Sequence, residues 1–188
     1  PMRKIIYGIN LSADGCCDHT KFGGGGETHE YFTDLMRDVD LIIYGRKTYE
    51  LMVPYWPDVA KNQSGTKSVN EFAQTFDAID KVVFSRTLDK VEGNTKLIRE
   101  NLGDEVLKLK QEPGKNISIG GVSLPSELIS LGLVDEFYFL VHPTIVGEGR
   151  RLFDGTGFQV QLDLTLVDSK VLKSGCVSLH YLKLKHST

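Results

Sequence analysis

An α/β fold is predicted for this chain: a mostly parallel central sheet that ends in antiparallel strands, with helices on both faces. Three observations predict it. Short β-branched runs alternate with apolar-periodic helical segments through most of the sequence, and the chain closes on two alternating strands with no helix between them. Between these regions, Gly120-Gly121 joins a buried run directly to a helical segment. The 188 residues, 40% hydrophobic and 25% charged, suffice for one domain with a substantial core, expected over residues 2–186.

Each element has a local reason. Arg3 to Leu11 alternates, with Ile5, Tyr7, Ile9 and Leu11 on one face, and reads as a first strand. Ser12 through Gly26 is a loop ending in four glycines. Thr28 is expected to cap a helix whose Tyr31, Phe32, Leu35, Met36 and Val39 form one apolar stripe. Leu41 to Tyr44 is a second strand running into the turn Gly45-Arg46-Lys47-Thr48. Val53 to Gly65, with Pro54, Trp56 and Pro57, is expected as a loop, and Lys81 to Ser85 as a third strand. Asn101 to Gln111 reads as a helix stopped by Pro113-Gly114. Asn116 to Ile119 is too short and too β-branched for a helix, and is taken as a strand. After the glycine pair, Leu124, Leu128, Ile129 and Leu131 recur at helical spacing, with Pro125 in the first turn, Ser123 or Ser126 as caps and Gly132 as the stop. Glu136 to His142 is a strongly apolar strand. Leu162 to Ser169 and Val177 to Lys185 complete the chain as an antiparallel pair, turning at Ser174-Gly175.

A net charge of −3 argues against a general nucleic-acid binder, and no apolar run approaches bilayer length. Cys16, Cys17 and Cys176 have no C-x-x-C spacing, and no secretion signal opens the sequence, so a cytoplasmic setting is expected. His29, His142, His180 and His186 are scattered and read as surface or packing residues; nothing points to a metal site.

Three strand ends favour phosphate. A strand running through Gly120-Gly121 into a helix lets a ligand approach the backbone and meet the free N–H groups of the first turn. Gly45-Arg46-Lys47-Thr48 places two cations and a hydroxyl at the carboxyl end of a buried strand, where open α/β sheets bind ligands. Ser85-Arg86-Thr87 repeats arginine and hydroxyl at the next strand end. Neither a P-loop nor a three-glycine dinucleotide fingerprint is present.

In their order along the chain, several segments carry a resemblance. They are Ile9-Asn10-Leu11-Ser12-Ala13-Asp14-Gly15, Gly45-Arg46-Lys47-Thr48-Tyr49-Glu50, Val83-Phe84-Ser85-Arg86 and Ile119-Gly120-Gly121. Leu133-Val134-Asp135-Glu136, Pro143 to Gly149 and Leu152-Phe153 follow. The chain resembles the dihydrofolate reductase-like fold and, within it, the reductase domain of bacterial riboflavin biosynthesis, the RibD C-terminal domain family. The resemblance implies an NADPH-dependent reductase of one dihydrofolate reductase-like domain, passing hydride to a C=N-type bond of a small heterocycle. It implies that Arg46, Thr48, Ser85 and Arg86 surround the adenosine 2′-phosphate, that Gly120, Gly121 and Val122 contact the pyrophosphate, and that the nicotinamide lies near Ile9, Asn10 and Ala13. Gly45, Lys47, Ile119 and Leu124 complete the expected cofactor-binding set.

The acid carried by dihydrofolate reductases on the first helix falls near Thr28 here, flanked by Glu27 and Glu30. The acidic residue that riboflavin-pathway reductases carry before the glycine pair is replaced by Ser118 and Ile119, and the deaminase signature H-x-E with P-C-x-x-C is absent. Glu30 is the first choice as proton source and Asp14 the second. Dihydrofolate reduction and NADPH binding without turnover stand as alternatives. A homodimer is expected, because Phe137 to Val141 is apolar at consecutive positions and so needs cover on both faces, and because riboflavin-pathway relatives pair through this part of the sheet.

Overall fold

A computed structural model describes residues 2–53, 55–157 and 161–184. Its strands are β1 (Ile5–Ser12), β2 (Val39–Gly45), β3 (Asp80–Phe84), β4 (Thr95–Ile98), β5 (Asn116–Ile119), β6 (Glu136–His142), β7 (Leu164–Val171) and β8 (Val177–Lys183). Its helices are α1 (Gly26–Leu35), α2 (Arg46–Met52), α3 (Tyr55–Asn62), α4 (Lys67–Ala78), α5 (Leu102–Gln111) and α6 (Ser123–Ser130). The strands form one sheet in the order β4-β3-β2-β5-β1-β6-β8-β7. The first six pair in parallel, while β8 runs antiparallel to both β6 and β7.

Period-two alternation builds two cores from the same strands. Ile5, Tyr7 and Ile9 join Leu41, Ile43, Val82, Ile117 and Ile119 beneath Val106 of α5 and Leu128 and Ile129 of α6. Ile6, Ile42, Tyr44 and Val83 face the other way, against Leu35, Tyr49, Trp56, Phe72 and Phe76 of α1 to α4. Helices therefore cover both faces, as predicted. The helix that follows β1 and the helix that follows β5 lie on opposite faces, although β1 and β5 are neighbours. This makes a topological switch point, the place where open α/β sheets bind ligands at the carboxyl ends of their strands.

Several local expectations are corrected. Thr28 is no cap: α1 starts at Gly26, and Thr28 is buried within it. The helix stops at Leu35 and, after a short turn, Val39 enters β2, where its branched side chain is buried in the sheet core. The loop expected over Val53 to Gly65 contains α3, which tolerates Pro57 because the first-turn N–H groups lack helical partners anyway. Trp56 draws this helix onto the core through an edge-on contact with Phe72, at 4.6 Å between ring centres. The turn at Gly45 opens directly into α2. Neither Ser123 nor Ser126 caps α6; Ser126 Oγ instead donates back to the Val122 carbonyl at 2.7 Å. The third strand ends at Phe84, which leaves Ser85 in the following turn. Lys185, expected at the end of the last strand, and His186 lie outside the described residues. β6 lies between β1 and β8, and Phe137 and Leu140 are buried by the chain's own elements, so the reason given for a dimer does not hold there.

Candidate active site

The ends of β2, β3 and β5 meet in the structure. Gly45 ends β2, and the half-exposed Arg46 then reaches across to the next strand end, donating from Nη1 to Thr87 Oγ1 at 2.9 Å. Its Nε lies 3.6 Å from Glu50 Oε1, one helical turn along. The turn after β3 is held from within and from outside. Ser85 Oγ accepts the N–H groups of Thr87 (3.3 Å) and Leu88 (3.0 Å), while Arg99 donates to the carbonyls of Arg86 (3.4 Å) and Asp89 (3.2 Å). Lys47 and Arg86 are exposed beside them. Two arginine-and-hydroxyl turns separated in sequence thus form one basic edge.

The glycine pair sits against this edge. Gly120 N–H donates to the Ile43 carbonyl at 3.0 Å, which ties the pair to β2. Gly121 has φ +85, and a Cβ there would stand 2.5 Å from Thr48 Oγ1, so both its backbone and its neighbour demand glycine. From below, the buried Tyr7 donates its hydroxyl to the Gly121 carbonyl at 2.6 Å, and burial raises the phenol pKa so that the hydroxyl keeps its proton. Ile119 and Leu124 turn into the core, so they offer this edge backbone rather than side chain. Arg150, exposed, donates to Ser123 Oγ at 2.6 Å and sets a cation at the start of α6, beside N–H groups that already carry partial positive charge. Sequence reasoning missed Arg150; its signal was the Arg150-Arg151 pair directly after the glycines at 147 and 149.

On the other side of the switch point, β1 and β6 end where β8 begins. Alternation separates Ile9 from Asn10: Ile9 packs in the core with α5 and α6, and Asn10 faces the opposite side. Ala13 N–H donates to the Thr144 carbonyl at 2.8 Å. Asp14 accepts from Ser12 Oγ (2.6 Å), Gly147 N–H (2.9 Å) and Val146 N–H (3.2 Å), and these bonds hold its carboxyl well below the usual carboxylate range. Asp14 is therefore ionised at neutral pH and ties the loop after β1 to the loop after β6.

Asn10 Oδ1 lies 2.8 Å from His142 Nε2, and His142 Nδ1 lies 3.4 Å from Cys176 Sγ. His142 and Cys176 line a cleft of about 330 Å³ with Gly24, Glu27, Thr28 and Ser174. Glu27 accepts from Ser174 N–H at 3.2 Å at this cleft. Glu30 is elsewhere: it lines a separate groove with Arg37, Lys67 and Glu71, between α1 and the start of α4. The structure thus sets Glu27, not Glu30, beside the ends of β6 and β8.

A family model describing the RibD C-terminal domain matches residues 3–178. The chain belongs to that family. Its relatives in sequence include the uncharacterized protein YyaP of Bacillus subtilis (strain 168), 35% identical over 187 residues that make up 95% of this chain and 94% of that protein. Among solved structures, a pyrimidine reductase-like protein from Corynebacterium diphtheriae aligns at a TM-score of 0.65 and 16% identity, covering 98% of this chain and 93% of the other. A diaminohydroxyphosphoribosylaminopyrimidine deaminase/5-amino-6-(5-phosphoribosylamino)uracil reductase from Thermotoga maritima aligns at 0.69 and 14%, covering 97% of this chain and 57% of its own. These likenesses establish the dihydrofolate reductase-like fold of riboflavin-biosynthesis reductases for this chain. Among the described residues, no helix is long and apolar enough to cross a membrane.

Proposed function

We propose that this RibD C-terminal domain protein is an NADPH-dependent reductase that passes hydride to a C=N-type bond of a small heterocycle related to ribosylaminopyrimidines. Residues 2–186 act as one domain, in the reducing cytoplasm. The observation that carries the reading is the contact between Arg46 and Thr87, which merges two strand-end turns into one basic edge beside Gly120-Gly121. The reductase named in the Thermotoga maritima relative supports the substrate class.

Arg46, Lys47, Thr48, Ser85 and Arg86, at the end of Gly45's strand and the next, suit a phosphate monoester, with the arginines gripping oxygens in pairs. The backbone from Ile119 through Leu124 and the Arg150 guanidinium suit a pyrophosphate at the start of α6. Asn10, Ala13 and the Ile9 backbone, at the end of β1, would take the nicotinamide. The cofactor, when bound, supplies the hydride. The chain's residues align it with the substrate, exclude water and deliver a proton.

Asp14 is placed to organise the loops, because its carboxylate is held ionised. Glu27 replaces Glu30 as the first choice for proton delivery, since it shares the cleft with His142.

The test is titration of NADPH and NADH by fluorescence, with and without Arg46→Ala. A charge-assisted hydrogen bond is worth about 1.5–3 kcal/mol, so the substitution should weaken NADPH about tenfold or more and leave NADH nearly unchanged. Equal affinity of the unsubstituted protein for the two cofactors would overturn the assignment.

A further inference from the structure

We propose that Cys176 is a nucleophilic thiol, activated by His142 and oriented by Asn10, that adds covalently to small soft electrophiles entering the cleft beside Glu27 and Thr28. The proposal does not depend on the reductase reading. It rests on a chain of three side chains from three adjacent strand ends, and on the cleft into which two of them open.

The geometry fixes the direction of the chain. An amide oxygen only accepts, so the Asn10 Oδ1 contact at 2.8 Å places the imidazole proton on Nε2 of His142. Nδ1 is left with its lone pair, facing Cys176 Sγ at 3.4 Å, within reach of the thiol hydrogen. Burial lowers the His142 pKa, so the ring is neutral and its lone pair free. Phe22 packs edge-on against the same ring, at 5.3 Å between centres, and limits its rotation. Thiol, imidazole and amide in this order form a nucleophile, a base and an orienting group.

The topology explains how they meet. His142 is the last residue of β6, and Asn10 lies near the end of the parallel neighbour β1. β8 runs the other way, so its start, just after Cys176, reaches the same edge. Cys176 is 4% exposed, and it and His142 both face the 330 Å³ cleft. No group of three His, Cys, Asp or Glu among the described residues is placed to hold a metal ion.

The step balances without an added oxidant or reductant. With an α,β-unsaturated carbonyl compound, a C–S bond forms at the β-carbon as the thiol proton passes to His142 Nδ1. The displaced π electrons move to the carbonyl oxygen as an enolate. The proton then returns to the α-carbon, and the product is a thioether.

Cys16 and Cys17 are internal controls. They are 1% and 9% exposed, and Cys17 donates its thiol to the Arg150 carbonyl at 3.2 Å while burial raises its pKa. The folded protein is incubated with acrylamide at neutral pH, and adducts at each cysteine are followed by peptide mass spectrometry. Cys176 should react first. His142→Gln should slow its reaction about a hundredfold, the low end of what a positioned base supplies, with Cys16 and Cys17 unchanged. Asn10→Ala, which keeps the base and loosens its orientation, should slow it several-fold. Thermal melts establish that each variant is folded. Cys176 reacting no faster than Cys16 and Cys17 in the unsubstituted protein would overturn the proposal. So would a folded His142→Gln or Asn10→Ala protein that reacts at the original rate.

Discussion

Gly120 and Gly121 are neighbours in sequence with different physical burdens, and substituting each by alanine separates the demands of the fold from those of the ligand. Gly121 lies at φ +85, where alanine costs about 1–2 kcal/mol from the clash of Cβ with its own backbone. Its Cβ would also stand 2.5 Å from Thr48 Oγ1, and turning Thr48 away from its preferred rotamer adds about 0.5–1.5 kcal/mol. The sum, about 1.5–3.5 kcal/mol, lowers the melting temperature by about 3–14 °C for a chain of this size. At Gly120, φ lies outside the left-handed region. A Cβ there meets Tyr44 Cβ at 3.8 Å and Thr48 Cγ2 at 3.9 Å, which is ordinary packing. Gly120→Ala should therefore melt within about 2 °C of the parent, consistent with a change of about 0.5 kcal/mol or less. If a pyrophosphate lies on this backbone, the same methyl group holds it off, and NADPH affinity falls at least tenfold, about 1.4 kcal/mol. Calorimetric melts and NADPH titrations on both variants make the comparison. A Gly120→Ala protein that binds NADPH like the parent would show that the glycines serve only the turn.

Three further outcomes are expected. Glu27→Gln should lower kcat on a reducible heterocycle about a hundredfold with NADPH affinity unchanged, while Glu30→Gln leaves kcat intact; the reverse pattern would return the role to Glu30. The hydrogen bonds to Asp14 hold its folded pKa below the ordinary 3.8, so the stability they confer is present above that pH and lost as pH falls through the folded value. Asp14→Asn should accordingly flatten the fall in melting temperature between about pH 5 and pH 2, and a variant as acid-sensitive as the parent would refute this. On the end strand β7, Leu166 (52% exposed), Val167 (48%) and Val171 (81%) face solvent, so a homodimer should bury this edge. Light scattering should give twice the chain mass at micromolar concentration and the chain mass for Leu166→Lys with Val171→Lys; a monomeric parent would refute it.

The central architecture was legible because period-two alternation and paired glycines are local signals. Ile5, Tyr7 and Ile9 against Ile6 already describe a strand buried on both sides, and Gly120-Gly121 marks a close approach in any such sheet. What escaped depended on partners distant in sequence. α3 was hidden because Pro57 and Trp56 read as loop residues until the core around Phe72 gives Trp56 a place. β4, a short edge strand, carries little alternation of its own and is recognised only by pairing with β3. At the site, the basic residues announced themselves by chemistry, whereas Arg46 meeting Thr87 needed the strand order. His142 read as a packing histidine because neither Asn10 nor Cys176 is near it in sequence.

The reversal of β8 divides the basic edge from the His142 cleft by order of synthesis. Apart from Arg150, the strand ends and glycines of the basic edge all precede residue 131, with α6 closing that part of the sheet. His142 then waits for a strand that begins at residue 177, and β8 is held in place by β6 on one side and by the exposed β7 on the other. An emerging chain thus carries the backbone of the basic edge and the imidazole of His142 before the thiol of Cys176, and only docking of the final hairpin brings thiol and base together. Loosening that hairpin would silence Cys176 while sparing the basic edge, which ties the thiol's reactivity to the completeness of the fold.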